Sequence, residues 1–178
     1  MRTIEVRQHS LRERPDRHLS AAGRALAAAV GRTRGPFRVV VASPLPRAVE
    51  TAEAMVPGAS VERSGVWSDL GDAEALWPRS FAEYHRAIAG SPAVRRRSDR
   101  LAREVECLLR RLDDGDRALI VTHGGSPEML VGHWGTLESA ARFGGPCRCL
   151  EGLQLTFEDL GRRPRCEVLR LPPEQTRL

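Results

Sequence analysis

Two stretches of the chain are apolar without a break: Val39-Val40-Val41 inside residues 37–42, and Ala118-Leu119-Ile120-Val121 inside residues 118–122. A strand with one wet face alternates, so these runs predict strands buried on both faces, as in parallel sheets. Residues 3–7 (Thr-Ile-Glu-Val-Arg) alternate but carry Glu5 and Arg7, and read as a weaker first strand. Between the strands the period changes. Ser20 is a good N-cap for an Ala-rich helix over 21–30, and a second helix is expected at 47–55, after the break Ser43-Pro44-Leu45-Pro46. The strongest helical signal spans 93–112, where Leu101, Val105, Leu108 and Leu112 share one face. A further helix is predicted directly after Gly125, with Ser126 as N-cap and Pro127 at its first position.

Weaker signals complete the outline. Residues 59–62 read as a short edge strand, and residues 65–92 as an irregular stretch with one short helix over 80–88. That stretch holds Trp67, Trp77, Phe81 and Tyr84, which suggests the packing core of a lid. Residues 153–157 and 166–171 read as a hairpin around Gly161, with Cys166 opposite about Thr156, and the tail after Pro172 is expected to fray. The alternation of strands and helices predicts an α/β fold. It is a three-layer α/β/α sandwich, with a mostly parallel central sheet and a C-terminal hairpin, formed by one domain over residues 1–178.

Composition narrows the class. With 178 residues, 41% hydrophobic and 29% charged, the chain has the profile of a globular protein that needs no disulfide or metal staple. No apolar run approaches the roughly 18 residues of a spanning helix, and Met1 to Ser10 lack an apolar leader core, so a cytoplasmic location without membrane association is expected. The net charge is +5, and all 28 basic residues are arginine, as a GC-rich bacterial coding sequence produces. Acids interleave with them, aromatics are only 4%, and no nucleic-acid-binding motif is present, so nucleic acid is not the expected partner. Cys107, Cys147, Cys149 and Cys166 read as reduced thiols. Cys147 and Cys149 with Cys166 and His133 do not have zinc-site spacing, and no metal is expected.

In a parallel sheet, ligands sit at the carboxyl ends of the strands. Those ends carry Arg7-Gln8-His9-Ser10, Ser43-Pro44-Leu45-Pro46-Arg47, and Thr122-His123-Gly124-Gly125, the last opening a helix whose amides attract anions. Two imidazoles and a guanidinium meeting in one crevice suit phosphoryl transfer. A neutral imidazole attacks phosphorus, and the second imidazole and the guanidinium hold the charge on the equatorial oxygens. A carboxylic acid must protonate the leaving oxygen and later activate water.

These residues also carry a resemblance. The chain is similar to the histidine phosphatase (phosphoglycerate mutase-like) superfamily, in its branch with a His-Gly-Gly second motif. The matching segments are Val6-Arg7-Gln8-His9-Ser10, Leu19-Ser20-Ala21-Ala22-Gly23, the set Ser43, Leu45, Arg47, Ala48, Thr51, Ala52, and Val121-Thr122-His123-Gly124-Gly125. The resemblance implies His9 as nucleophile, Arg47 as phosphate clamp and His123 as the stabilising second imidazole. It implies a phosphomonoester hydrolase acting through a phosphohistidine on a small phosphorylated molecule, with no cofactor; a homo-oligomer is left open. The family places Arg directly before the nucleophilic His, where this chain has Gln8; Ser10 stands where the family has Gly. Arg7 lies one residue earlier, and strand alternation turns it from the pocket unless the strand bulges. Arg7, Gln8, Ser10, Glu74 and Gly124 are the candidate substrate-binding residues. For the proton donor, Asp69 fits the expected distance from the 59–62 strand, Glu74 has the family's residue type, and Asp72 is a third candidate. The Gln8 substitution also admits a catalytically weakened protein that binds phosphorylated ligands.

Overall fold

A computed structural model describes residues 1–13, 17–68 and 78–172. Among the described residues one sheet has the order β3-β2-β4-β1-β5-β6. Its strands are β1 (Arg2–Gln8), β2 (Val39–Ala42), β3 (Val61–Arg63), β4 (Arg117–Thr122), β5 (Gly152–Phe157) and β6 (Arg165–Leu169). The pairs β2–β3, β2–β4 and β1–β4 are parallel, whereas β5 is antiparallel to β1 and β6 to β5. The helices are α1 (Ala21–Arg32), α2 (Pro46–Met55), α3 (Phe81–Gly90), α4 (Pro92–Leu109), α5 (Ser126–Trp134) and α6 (Leu137–Arg142). A short 3₁₀ turn, Gly65–Trp67, follows β3.

The two apolar runs do what continuous hydrophobicity requires. On β2 and β4, Val41, Ala118 and Ile120 join the core under α3, α4 and α5, while Val40, Ala42, Leu119 and Val121 join the core under α1 and α2. Alternate residues thus fill two cores, and the sheet is covered on both faces. Strand β1 differs. Ile4 and Val6 enter the first core, and Glu5 and Arg7 on the opposite side are equally buried. Arg7 donates to Glu5 through Nε (2.9 Å), and Arg117 pairs with the other oxygen of the same carboxylate. The charges that weakened the strand signal are a paired, buried cluster.

The capping signals held locally. Ser20 accepts from the Gly23 amide at 3.0 Å, which caps α1. Helix α5 does begin after Gly125, but Gly125 is itself the N-cap, with Ser126 the first helical residue. Trp67, Phe81 and Tyr84 are buried in the α3–α5 core rather than in a lid; Trp77 lies outside the described residues. The terminal hairpin forms with Cys166 opposite Leu155, one register position from the expected Thr156. Helix α6 was not anticipated; Thr136 and Ser139 cap it reciprocally. No helix among the described residues is long and apolar enough to cross a membrane.

Candidate active site

The carboxyl ends of β1, β2 and β4 are laced together by backbone bonds. The His9 amide donates to the Thr122 carbonyl (2.8 Å), and the Ser43 amide to the Val121 carbonyl (2.9 Å). This brings His9 and His123 to a ring-centroid distance of 5.3 Å, with planes inclined at 62°. Arg47, in the first turn of α2, reaches His123 Nδ1 with Nη2 at 3.2 Å. His123 Nε2 lies 2.8 Å from Ser43 Oγ. The three residues meet from three segments, as strand-end reasoning expects.

Hydrogen bonding assigns the tautomers. A guanidinium only donates, so His123 Nδ1 accepts, and its Nε2–H donates to Ser43. His9 Nδ1 lies 2.7 Å from the Ser10 carbonyl, which only accepts, so Nδ1 carries the proton and Nε2 keeps its lone pair. Burial lowers the His9 pKa to about 4, with Arg47 and Arg12 adding to the effect and the Ser10 bond opposing it. Burial lowers His123 to about 3, aided by His9, Arg47 and Arg97. Both rings are therefore neutral near pH 7.

Other expected residues are placed differently. Arg7 is not brought to the histidines. Its side chain lies on the α1–α2 face of β1, bound to Glu5 and, through Nη1, to the Leu150 carbonyl at 2.7 Å. Leu150 adopts the left-handed conformation (φ 61°), and its amide points at the carbonyls of Gln8 and His9 at 3.2 and 3.3 Å. Arg7 thus fastens the residue that closes the end of β1, one bond away from the nucleophile's backbone. Gln8 lies beside Gly124, where an added Cβ would sit 3.6 Å from its carboxamide. In the amide orientation that satisfies both partners, its nitrogen donates to the carbonyls of Cys147 (2.9 Å) and Arg148 (3.2 Å). Ser10 is fully buried: its hydroxyl donates to the Gly23 carbonyl (2.7 Å) and its amide to Thr51 Oγ1 (2.9 Å). It braces the loop instead of facing a ligand. Asp69, Asp72 and Glu74 lie outside the described residues.

Three structural partners escaped the sequence reading. Ser43 and Thr51 belong to the motif, yet nothing local showed that one would hold His123 and the other the Ser10 backbone. Glu128 is buried at the start of α5; its carboxylate accepts from the Gly125 amide (3.0 Å) and the Cys147 amide (2.6 Å). The spacing Gly125-Ser-Pro-Glu128 is the available signal, a helix start with Glu at the third position. The amide of the N-cap Gly125, at the helix start expected to attract an anion, is taken by this carboxylate. Among the described residues no three His, Cys, Asp or Glu side chains gather as a metal site.

Comparison with known proteins bears on the fold and the family. No curated protein sequence matches the chain. Among solved structures, phosphoserine phosphatase from Entamoeba histolytica, in complex with 3-phosphoglyceric acid, superposes with a TM-score of 0.70 at 16% identity, covering 96% of this chain and 98% of that one. Phosphoglycerate mutase from Bacillus anthracis gives 0.64 at 14% identity, covering 94% and 92%. Mycobacterial glucosyl-3-phosphoglycerate phosphatase gives 0.62 at 19% identity, covering 94% and 96%. These likenesses establish the shared fold. The model of the histidine phosphatase superfamily (branch 1) matches residues 2–159, and the chain belongs to that superfamily.

Proposed function

We propose that the protein hydrolyses a small phosphomonoester through a phosphohistidine at His9. The observation that carries this reading is the pair of imidazoles 5.3 Å apart, one with its lone pair at Nε2 and the other held by Arg47. In the first step His9 Nε2 attacks phosphorus in line. The N–P bond forms, the ester P–O bond breaks, and the leaving oxygen takes a proton from a carboxylic acid. Asp69, Asp72 and Glu74 are the candidates for that acid. In the second step water attacks phosphorus, the N–P bond breaks, and the carboxylate takes the proton.

Arg47 supplies charge-assisted donors to the equatorial oxygens. An arriving dianion stands beside both rings and opposes the repulsion of the arginines, so it raises the His123 pKa. Arg47 Nη2 then turns from His123 Nδ1 to the equatorial oxygens, and the ring takes up a proton at Nδ1, a second donor, while Ser43 holds Nε2. Membership of the superfamily supports phosphatase-type chemistry.

The test is hydrolysis of an aryl phosphate by wild type and His9→Ala, with acid-labile phosphoenzyme trapped by rapid quench. Loss of both signals in the variant is expected. Turnover that survives the substitution would remove His9 from the mechanism. A second reading rests on Gln8, whose uncharged amide is tied to backbone carbonyls: the protein binds phosphorylated ligands with little turnover. In that reading wild type binds orthovanadate but does not turn over, and Gln8→Arg restores hydrolysis.

A further inference from the structure

We propose that Glu128 is a positioning residue, whose buried carboxylate braces the turn after His123 against the segment that closes behind His9 and so fixes how the two imidazoles face each other. The inference rests on the phosphatase reading only for what that arrangement is worth in turnover. Glu128 is the third residue of α5 and is fully buried. One of its oxygens accepts from the Gly125 amide (3.0 Å), two residues beyond His123. The other accepts from the Cys147 amide (2.6 Å), 19 positions along from Glu128 itself. The first bond alone serves as a helix cap. The second reaches out of the helix altogether.

From Cys147 the bonds run on to the strand that carries His9. In the orientation that satisfies its partners, the Gln8 carboxamide donates to the carbonyls of Cys147 (2.9 Å) and Arg148 (3.2 Å). The Gln8 amide donates to the Glu151 carbonyl (2.9 Å), and the Leu150 amide points at the carbonyls of Gln8 and His9 (3.2 and 3.3 Å). Residues 147–151 therefore grip the end of β1, and Glu128 is the side chain that ties them to the His123 turn. The His9 amide already bonds to the Thr122 carbonyl, just before His123 (2.8 Å). With Gly125 held as well, the His123 turn is fastened to the His9 side both before and after its ring, and a shift of one against the other has to break a tie. Among the described residues no cation pairs with Glu128; backbone amides of two segments hold it. A carboxylate buried without a cation is costly, and a cap exposed to water avoids that cost. Its burial therefore suits a junction better than a cap.

The experiment compares wild type with Glu128→Gln, Glu128→Asp, Gln8→Ala, the double variant Gln8→Ala/Glu128→Gln, and Thr136→Ala, which removes the cap of α6. The readouts are kcat and KM for p-nitrophenyl phosphate, the ring nitrogen chemical shifts of His9 and His123, and the melting temperature. Glu128→Gln keeps the length of the side chain and one accepting oxygen, but its NH₂ only donates, so one of the two amides loses its partner. Glu128→Asp keeps the charge and is one methylene too short to span both amides. In each, kcat should fall about 10–10²-fold with KM little changed, the scale of reacting groups displaced by on the order of 1 Å. Both ring shifts should move. Thr136→Ala should lower the melting temperature and leave kcat and both rings as in wild type. Because Glu128 acts through residues 147–151, the effects of Glu128→Gln and Gln8→Ala on kcat should miss additivity by about threefold or more.

In a wild type that turns over, an unchanged kcat in folded Glu128→Gln would overturn the proposal, and so would unmoved ring shifts. Additive effects of the two substitutions, or an equal loss of kcat in Thr136→Ala, would leave Glu128 a local cap and overturn it too. Should Glu128→Gln fail to fold, Glu128→Asp carries the same decision, alone and combined with Gln8→Ala. A wild type without turnover, whose ring shifts still move in Glu128→Gln, keeps the brace and rejects the phosphatase reading. His9-independent turnover rejects that reading alone.

Discussion

The two strand ends that deliver the site's first residues differ in where their side chains find partners. Around Ser43–Thr51, the motif residues act on the site itself: Ser43 and Arg47 both hold His123, and Thr51 accepts from the Ser10 amide. Around Arg7–Ser10, His9 stands against the His123 ring. Arg7, Gln8 and Ser10 are held by Leu150, by the carbonyls of Cys147 and Arg148, and by Gly23. The first region is a set of side chains that hold His123 and the loop after His9. The second is one imidazole on a scaffold of buried hydrogen bonds. Equally polar sequences thus gather on the histidine pair in one case and on distant backbone in the other.

The sharpest way to break this contrast is to remove one charge from each region. Arg7→Met leaves the Glu5 carboxylate buried with Arg117 as its remaining partner, at a cost of about 3 kcal/mol or more in stability. Chemical denaturation measures it. Adding Glu5→Leu should recover most of that loss, because Arg117 is part-exposed and can turn to water. A loss below about 1 kcal/mol in the single variant would return Arg7 to the surface class of ion pairs.

Arg47→Ala should act oppositely, leaving the fold intact and lowering kcat/KM by about 10²–10³-fold, or about 3–4 kcal/mol of transition-state stabilisation. Steady-state kinetics beside a melting curve separates the two effects. An Arg47→Ala protein that loses stability but keeps its rate would erase the distinction between the regions.

The outline of the fold was legible where a segment's own side chains decide its environment. Val39–Val41 and Ala118–Val121 announced buried strands, and Leu101, Val105 and Leu108 announced the buried face of α4. Arg47 and the two histidines were legible because their spacing matches a family pattern at strand ends. What stayed hidden depends on contacts across the chain. The fate of Arg7 is set by Leu150, 143 positions away, and nothing about a leucine signals that it adopts a left-handed turn. Glu128 reads as an ordinary helix-start residue, yet it joins the turn after His123 to Cys147, whose carbonyl holds Gln8. Alternation did turn Arg7 from the pocket, but could not show that its destination was a buried carboxylate.

Acid should expose the shared cost of the paired rings. Both histidines have native pKa values below 6.5, so the unfolded chain binds protons first as pH falls. The contribution of the neutral rings to stability is complete above about pH 6.5 and is lost through about 4 and about 3. Denaturation midpoints should therefore fall between pH 7 and pH 4.5, and fall less in His123→Ala. Removing the Arg47 charge should raise both native pKa values, which lifts the lower edge of the window and makes the fall smaller. A midpoint that is flat across this range would mean that the rings are hydrated, and that the crevice is more open than its geometry indicates.

The smallest expected effect separates two adjacent glycines at the third strand end. Gly125 has φ 91°, a conformation in which a Cβ is strained, and its amide feeds Glu128. Gly125→Ala should cost about 1–2 kcal/mol in stability. Gly124 has no such backbone requirement, and an added Cβ meets the Gln8 carboxamide at 3.6 Å, an ordinary contact. Gly124→Ala should stay within about 0.5 kcal/mol of wild type, like an unstrained surface change. Its effect on turnover is then informative. If the fold is kept and the rate drops sharply, the space over Gly124 is used by the substrate, and the line between scaffold and chemistry runs through the middle of the His-Gly-Gly turn. If both are kept, that line lies at His123, and the glycines serve only to turn the chain into α5.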